Sequence, residues 1–271
     1  MIDLHSHSTA SDGALSPTEL VALAVKTGLK ALALTDHDTM AGVPEALAAA
    51  DERGLRLIPG VEIEIAFEPG EFHLLGLHID AAFPELVEVF ETLAESRRQR
   101  NADIVDLMRA AGIAADLDEI VAAAGTSHLG RPHLADHLVR VKAARTRQDA
   151  FDRFLGKGRP LYLPKECLPF REALALIRRS GGKAVVAHPY SLFVSKSKLA
   201  GLMDEWKEAG VDGIEAFHPA AKLGQCRILE RMAQERGFAV TAGSDWHGPG
   251  RPECGLGHTA GGIPIDDRYL L

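Results

Sequence analysis

Histidines and carboxylates recur at one kind of position in this sequence, directly after short apolar runs that are typical of β-strands. Ten such residues stand at or near the carboxyl end of a predicted strand: His5, His7, Asp36, His37, Glu62, His73, His188, His218, Asp245 and His247. Imidazole and carboxylate groups together suit divalent Mn, Zn or Fe. Because one ion needs about three or four protein ligands, a set of this size indicates two or three ions, and Glu62 could bridge two of them.

The spacing of these residues supports a shared site. His5 and His7 are two residues apart in a predicted strand, so both side chains face the same side and could bind one metal. Asp245 and His247 repeat this spacing after the last predicted strand. The sequence therefore predicts a metal cluster at one end of a sheet.

Strands and helices alternate along the two parts of the chain that carry these residues. Strands are predicted at 1–5, 29–34, 55–59, 61–67, 72–77, 183–187, 213–217 and 238–242. Helices are predicted from a capping box at Ser16–Glu19 to Gly28, and at 43–53, 171–179, 199–209 and 225–236. This alternation implies parallel strands joined by right-handed crossovers. About seven strands suggest a closed or nearly closed α/β barrel with its active site at the carboxyl ends of the strands.

The alternation stops in the middle of the chain. Residues 84–157 have helical periodicity and no convincing strand pattern. We therefore expect residues 1–83 and 172–271 to form the β/α barrel and residues 84–171 to form a helical insertion that caps the barrel mouth.

Composition favours a globular enzyme with a small substrate. Of 271 residues, 46% are hydrophobic and 25% are charged, and the formal net charge of −8 argues against binding long duplex nucleic acid. Residues 128–160 are an exception, with eight Lys or Arg against three Asp, or 8 − 3 = +5. Most of these charges fit a solvated helical face, but one or two of them could bind a small anion.

The three cysteines, Cys167, Cys226 and Cys254, form no CxxC motif, so neither a zinc knuckle nor a disulfide framework is expected. The amino-terminal residues lack the basic and apolar regions of a signal peptide, and no run has transmembrane length. We expect a cytoplasmic protein that does not interact with membranes, and the sequence implies no protein partner.

Seven short motifs occur in the order found in the PHP (polymerase and histidinol phosphatase) superfamily, which this sequence resembles. They are His5-Ser6-His7, Ser11-Asp12-Gly13, Thr35-Asp36-His37-Asp38, Gly60-Val61-Glu62, His73-Leu74-Leu75-Gly76, Ala187-His188-Pro189 and Gly243-Ser244-Asp245-Trp246-His247. The match extends from residue 1 to about residue 250, apart from the helical insertion. The resemblance implies a distorted seven-stranded β/α barrel of the PHP type with a trinuclear metal centre.

The resemblance also implies a ligand set. The family pattern places His5, His7, Glu62 and Asp245 on the first metal. It places Asp12, His37 and His247 on the second metal. It places Glu62, His73 and His188 on the third, with Glu62 bridging. Asp12 stands where some members have His, which favours Mn²⁺, with Zn²⁺ or Fe²⁺ as alternatives.

Two motifs in the insertion indicate which subgroup of the family the sequence resembles. Gly130-Arg131-Pro132-His133 and Leu163-Pro164-Lys165 resemble the insertion of small stand-alone PHP phosphoesterases, above all the nucleoside 3′,5′-bisphosphate phosphatases. Arg131 and His133 are predicted to contact the substrate phosphate, because Arg suits a bidentate phosphate contact. Asn101 and Lys165 are further predicted substrate contacts.

The resemblance implies a metal-dependent phosphomonoesterase that hydrolyses a nucleoside 3′,5′-bisphosphate, with hydroxide as the nucleophile and the general acid unassigned. Two other enzyme activities stay open: 5′→3′ exonuclease action on short RNA and phosphatase action on histidinol phosphate. A metal-binding module without turnover is a fourth reading, although such a module has no need for nine ligands.

Four further residues have open roles. His218 ends a strand at the same end of the barrel, but the family pattern gives it no metal, so it contacts substrate or is an ordinary loop residue. Asp36 and Asp38 flank a predicted ligand and could orient it or cap the next helix. Trp246 could stack on a base or pack its own loop.

Overall fold

The computed structural model describes residues 1–126, 128–249 and 255–271, so that Cys254 lies outside the described residues. The chain forms two compact units, Met1–Glu88 with Cys167–Leu271, and Val89–Glu166. The predicted division at residues 84 and 171 stays a prediction. Leu168 makes a single parallel β-bridge to Ile65 within the first unit.

Seven strands with their connecting helices make up most of the first unit. They are β1 (Ile2–Asp3), α1 (Pro17–Thr27), β2 (Ala31–Leu34), α2 (Val43–Arg53), β3 (Arg56–Ile65), β4 (Phe72–Leu77), α7 (Phe170–Arg179), β5 (Lys183–Val186), α8 (Lys196–Ala209), β6 (Gly213–Phe217), α9 (Leu223–Glu235) and β7 (Ala239–Ala242). The strands form one sheet in chain order, β1 to β7. A small hairpin, β8 (His258–Thr259) and β9 (Ile263–Pro264), follows near the carboxyl end.

Capping residues set the ends of α1. The Ser16 hydroxyl accepts the N–H of Glu19 at 3.2 Å, and the Glu19 carboxylate accepts the N–H of Ser16 at 2.9 Å. Gly28 ends the helix with a φ of 81°, a left-handed conformation that glycine adopts without steric cost. The predicted capping box and helix end are confirmed, and the helix buries Leu20 and Val21 against the sheet side.

One strand runs against the expected direction. β1, β2 and β3 are parallel, as are β5, β6 and β7, but β4 is antiparallel to both of its neighbours. The prediction of parallel strands was therefore wrong for β4. Only the short segment 66–71 joins β3 to β4, whereas a parallel connection needs a crossover of a dozen or more residues.

The predicted strands 55–59 and 61–67 are a single strand, β3. Its first half pairs with β2 as far as Pro59, and its second half pairs with β4 from Gly60 onwards. Proline has no N–H to donate to a ladder, and Pro59 stands at the point where β3 changes its pairing partner. The strand itself continues through this point. Gly60 permits close approach, because a Cβ there would lie 2.9 Å from the Gly76 carbonyl oxygen.

The two ends of the sheet meet through the segments that follow β1 and β7. The Asp245 N–H donates to the His5 carbonyl at 2.9 Å, and the His7 N–H donates to the Trp246 carbonyl at 2.9 Å. The predicted seven-stranded, nearly closed β/α barrel is confirmed. Trp246 is buried in this seam, which favours the packing role for its ring over base stacking.

The second unit is helical in the residues described. It contains most of α3 (Pro84–Ala110), then α4 (Leu117–Ala124), α5 (Arg131–Arg140) and α6 (Arg147–Ala150), which continues into a π-helical turn at Phe151–Leu155. Its own apolar core includes Ile104, Met108, Ile120, Leu134 and Leu138. No helix in the described part of the chain is long and apolar enough to cross a membrane.

Candidate metal centre

Backbone pairing beyond the ends of the strands positions the predicted ligands. His37 forms a parallel bridge with Glu62, and the Asp38 N–H donates to the Glu62 carbonyl at 2.9 Å. The Ala187 N–H donates to the His73 carbonyl at 3.1 Å, directly before His188. The chain segments that carry the ligands are therefore held in register by the same ladder that forms the barrel.

The buried carboxylate of Glu62 lies at the centre of the cluster. Its Oε2 is 3.3 Å from His5 Nε2, 3.4 Å from His7 Nε2 and 3.0 Å from His37 Nδ1. Its Oε1 is 2.8 Å from His73 Nδ1 and 2.9 Å from His188 Nε2. Each oxygen of one carboxylate thus has its own set of imidazoles, as a bridging ligand requires.

Two further carboxylates complete the cluster. Asp245 Oδ1 lies 3.4 Å from His5 Nε2 and 3.2 Å from His7 Nε2. Asp12 Oδ1 lies 3.2 Å from His247 Nε2 and 3.8 Å from His37 Nε2. All nine predicted ligands therefore lie together in the first unit.

The donor atoms fall into three overlapping groups whose members lie within 4.8 Å of one another: His5, His7, Glu62 and Asp245; His7, Asp12, His37 and His247; and His37, Glu62 and His73. Ligands at about 2.1 Å from an ion are about 3.0–3.4 Å from each other in octahedral or tetrahedral arrangements. Most of the measured separations have this size, within a full range of 2.8–3.8 Å, so the arrangement can hold divalent metal ions.

Several of these atoms are buried without a hydrogen bond. They include His5 Nε2, His7 Nε2, Asp12 Oδ1 and Glu62 Oε2. Leaving a buried polar atom unsatisfied costs about 1–3 kcal/mol. A cluster of such atoms that face one another is the expected form of a metal site, because an ion satisfies all of them at once.

The electrostatics of the cluster favour ionised carboxylates. Burial opposes ionisation of Glu62, but the imidazoles of His73, His5 and His37 outweigh it and hold its pKa well below the usual value. The pKa of Asp245 is also lowered well below its usual value against the effect of burial, chiefly by His5. The carboxylates are therefore in the charged form that binds metal.

The imidazoles differ from one another. Burial lowers the pKa of His7 to about 3, with a contribution from His247 and His37. For His73 burial acts in the same direction, but the Glu62 carboxylate outweighs it and raises the pKa to about 9. His7 is therefore neutral and ready to bind an ion, whereas His73 must first lose a proton.

Glu215, on β6, is part of the centre although the sequence reasoning missed it. Its Oε1 lies 3.0 Å from His5 Nδ1, and its Oε2 accepts the backbone N–H of His188 at 2.8 Å. Gly243 leaves room for this contact, because a Cβ there would lie 2.5 Å from Glu215 Oε1. A lone carboxylate in the apolar strand Gly213–Phe217 was the available signal, because a buried charge needs a partner.

Asp36 shapes the loop that carries Asp12. Its carboxylate accepts hydrogen bonds from the Ser8 N–H at 2.8 Å, the Ser8 hydroxyl at 2.7 Å and the Ser11 hydroxyl at 2.5 Å. Burial raises the pKa of Asp36 to about 6. These contacts hold the loop at residues 8–12, a role that differs from both roles left open for Asp36, which were to orient the neighbouring ligand or to cap the next helix.

His218 lies inside the site. It is 8% exposed, and its Nε2 is 3.3 Å from Asp245 Oδ2. The Ala220 N–H donates to Nδ1 at 3.2 Å, which places the ring proton on Nε2, facing Asp245. This geometry does not correspond to an ordinary loop residue.

Two of the predicted ligands have a strained backbone conformation. His188 has a φ of 26° and Asp245 a φ of 50°, both in the region that disfavours side chains. Such conformations cost about 1–3 kcal/mol each and persist where the surrounding structure fixes them, often at functional sites.

The four predicted substrate contacts lie in the second unit. The Asn101 amide donates to the Leu129 carbonyl at 2.9 Å. Arg131 and His133 lie in the first turn of α5, and the Gly130 N–H donates to His133 Nδ1 at 2.9 Å. Lys165 lines a pocket of about 120 Å³ with Leu93, Ser96, Arg97, Arg100, Pro164 and Glu166.

Known proteins resemble this chain over nearly its full length. Residues 3–87 match the family model of the PHP domain. A 5′-3′ exoribonuclease from Haemophilus influenzae is 37% identical over 247 residues, which cover 91% of this chain and 90% of the relative. A 3′,5′-nucleoside bisphosphate phosphatase from Chromobacterium violaceum is 34% identical over 265 residues, 97% of this chain and 93% of the relative.

A solved structure has the same fold. It is a Chromobacterium violaceum protein described as an amidohydrolase, with bound sulfate and no metal. It matches with a TM-score of 0.87 and 34% identity, over 97% of this chain and 92% of that chain.

Proposed function

The chain belongs to the PHP family, as its motifs predicted, and we propose that it removes a phosphate from nucleoside 3′,5′-bisphosphates. An example is the conversion of 3′-phosphoadenosine 5′-phosphate to AMP and phosphate. The chain is a metal-dependent phosphoric monoester hydrolase. One observation carries the proposal: the cluster around Glu62 lies in a chain that is 34% identical over 97% of its length to a phosphatase of this name.

The nine clustered residues are the proposed ligands of two or three divalent ions. His5, His7, Glu62 and Asp245 would hold the first, and Asp12, His37 and His247 the second. Glu62, His73 and His188 would hold the third. Bound there, the ions would polarise the phosphoester and activate water for attack on phosphorus. The three carboxylates favour Mn²⁺ as the native ion.

Residues of the second unit are proposed to hold the substrate phosphates. The Gly130 N–H donates to His133 Nδ1, so the ring proton is on Nε2, the form that can donate to a phosphate oxygen. Arg131 is two residues away in the same helical turn and adds a permanent charge. Asn101 anchors the Leu129 carbonyl directly before this turn, and Lys165 is a further proposed contact.

The same site supports a second candidate, removal of 5′-mononucleotides from short RNA. The 37% identity to an exoribonuclease favours it. Both reactions break a P–O3′ bond, so the leaving group is the 3′-oxygen of a 5′-nucleotide in each case. They differ in the fate of the phosphate, which is released as inorganic phosphate or stays on the 5′ end of the remaining RNA chain.

Product analysis separates the candidates. The protein is purified without oxygen, its metals are measured, and it is incubated with nucleoside 3′,5′-bisphosphates, 5′-phosphorylated tetranucleotides and histidinol phosphate. The proposal predicts two or three ions per chain and fastest release of inorganic phosphate from the bisphosphates. Faster release of mononucleotides from the oligomers would support the second candidate, and preference for histidinol phosphate would overturn both.

A further inference from the structure

Phe193 is the one exposed aromatic side chain among residues 1–126, 128–249 and 255–271. It is 77% exposed, whereas the next most exposed large apolar side chain, Leu47, is 42% exposed. Burial of a Phe side chain is worth about 1.5–3 kcal/mol, which the free protein does not gain here. Single exposed apolar residues are common on protein surfaces. What distinguishes Phe193 is the firmly held backbone that precedes it and its short distance from the metal centre.

The backbone that leads to Phe193 is firmly held. It follows a 3₁₀ turn, Pro189–Leu192, in which Leu192 is completely buried. The Ser191 hydroxyl donates to the Glu71 carbonyl at 2.8 Å, and the Glu71 N–H donates to the Ser191 carbonyl at 2.9 Å. Phe193 itself has a φ of 51°, which is costly for an aromatic residue. The ring is therefore presented to solvent on a fixed support.

The same turn begins at the metal centre. His188 directly precedes it, with Nε2 2.9 Å from Glu62 Oε1 and Nδ1 2.9 Å from the Ser191 hydroxyl oxygen. A 3₁₀ turn rises about 2 Å per residue, so Phe193 lies within about 10 Å of His188 along the turn. This span is comparable with that between a phosphate and the base of one nucleotide.

The other aromatic residues close to the ligands in sequence do not offer a free ring face. Trp246 is 5% exposed in the barrel seam. Tyr190 is partly buried, and its hydroxyl donates to the Gln225 carbonyl at 3.0 Å. Phe72 packs against the rings of Phe67 and Phe170.

We propose that Phe193 is a stacking platform for the nucleobase of the substrate. The inference rests on the proposed nucleotide specificity and adds the residue that recognises the base. An aromatic ring stacks on any base, and such a contact is worth about 1–3 kcal/mol, or roughly 5- to 150-fold in binding. Because the backbone that carries the ring is already held by Ser191 and Glu71, little backbone entropy is lost when the base binds.

Steady-state kinetics of the metal-loaded protein test the proposal. Phe193→Ala should raise KM for adenosine 3′,5′-bisphosphate at least 5-fold with little change in kcat, and Phe193→Trp should retain the wild-type KM or lower it. Leu47→Ala, the next most exposed apolar position, is the matched control and should change neither constant. Ribose 3,5-bisphosphate, which lacks a base, should have the same KM with the wild type and with Phe193→Ala.

A binding measurement gives a second readout. A 2-aminopurine analogue of the substrate should lose fluorescence on binding to the wild type and retain it with Phe193→Ala, because stacking quenches this base. Unchanged KM in Phe193→Ala, or an equal loss with the substrate that lacks a base, would overturn the stacking role alone. A wild type that hydrolyses no nucleotide would instead overturn the proposed function, and the stacking role with it.

Discussion

Replacement of Glu215 by Gln should weaken metal binding 10- to 100-fold without unfolding the barrel. The Glu215 carboxylate is buried between two partners, the Nδ1 of His5 at 3.0 Å and the backbone N–H of His188 at 2.8 Å. The carboxylate accepts one hydrogen bond from each of these two groups. Acceptance from Nδ1–H leaves the Nε2 lone pair of His5 free to face Glu62 and Asp245, as metal binding requires.

A glutamine cannot replace both contacts, because it has one acceptor and one donor group. If its oxygen faces the His188 N–H, its NH₂ faces His5 Nδ1 and favours the tautomer with the proton on Nε2, which cannot bind an ion. If its oxygen faces His5, its NH₂ meets the His188 N–H, and two buried donors oppose each other. Either orientation costs about 1–3 kcal/mol. Changes to the partners of metal ligands typically cost 10- to 100-fold in affinity.

Titration calorimetry of metal-free protein with Mn²⁺ and Zn²⁺ measures the affinity directly, and circular dichroism verifies the fold. Glu235→Gln is the matched control, because Glu235 is exposed on α9 and loses the same charge. Wild-type affinity in Glu215→Gln, or an equal loss in Glu235→Gln, would refute the reasoning from hydrogen-bond geometry.

Three other results are expected. Asp36→Ala should lower the free energy of unfolding in urea by about 2–4 kcal/mol, because three hydrogen bonds are lost, and should reduce the metal content; full occupancy would contradict this. Arg131→Ala should lower kcat/KM by about 10- to 100-fold with unchanged metal content, whereas Arg145→Ala should have no effect. Because Glu62 raises the pKa of His73 to about 9, Mn²⁺ binding at pH 7 should release protons, and apparent affinity should increase from about pH 6 to 9; calorimetry in two buffers measures the release.

The sequence could predict which residues cluster, because a β/α barrel brings the carboxyl ends of its strands together; their role as metal ligands stays a proposal. His5 and His7 could be identified from their spacing, and Glu62 and Asp245 from their position after apolar runs. For Glu215 the sequence offered only a lone carboxylate in an apolar strand, and this signal did not name its partner, His5, which lies 210 residues away in the chain. Its role exists only after the barrel closes and brings the Glu215 side chain within 3.0 Å of His5 Nδ1.

Local sequence patterns also could not predict the direction of β4 or the continuity of β3. Pro59 reads as a strand breaker, since proline removes a ladder donor. In the structure Pro59 is the last residue of β3 paired with β2, and pairing with β4 begins at the next residue, Gly60. Whether a proline ends a strand or marks a change of partner depends on the neighbouring strands, which a single sequence does not specify.

The metal centre explains how a chain of net charge −8 can accept an anionic substrate. The carboxylates of Asp12, Glu62 and Asp245 together carry −3, and two or three divalent ions would add +4 or +6. The ionised Glu215 beside His5 adds one more negative charge, so the centre would have a net charge of 0 with two ions or +2 with three, at a buried place where solvent screens poorly. A phosphate is attracted there although the whole protein repels it. Outside residues 128–160 the rest of the chain has a formal net charge of −8 − 5 = −13, so additional phosphates of a longer RNA would be repelled. This balance favours a short substrate with two phosphates over a polymer.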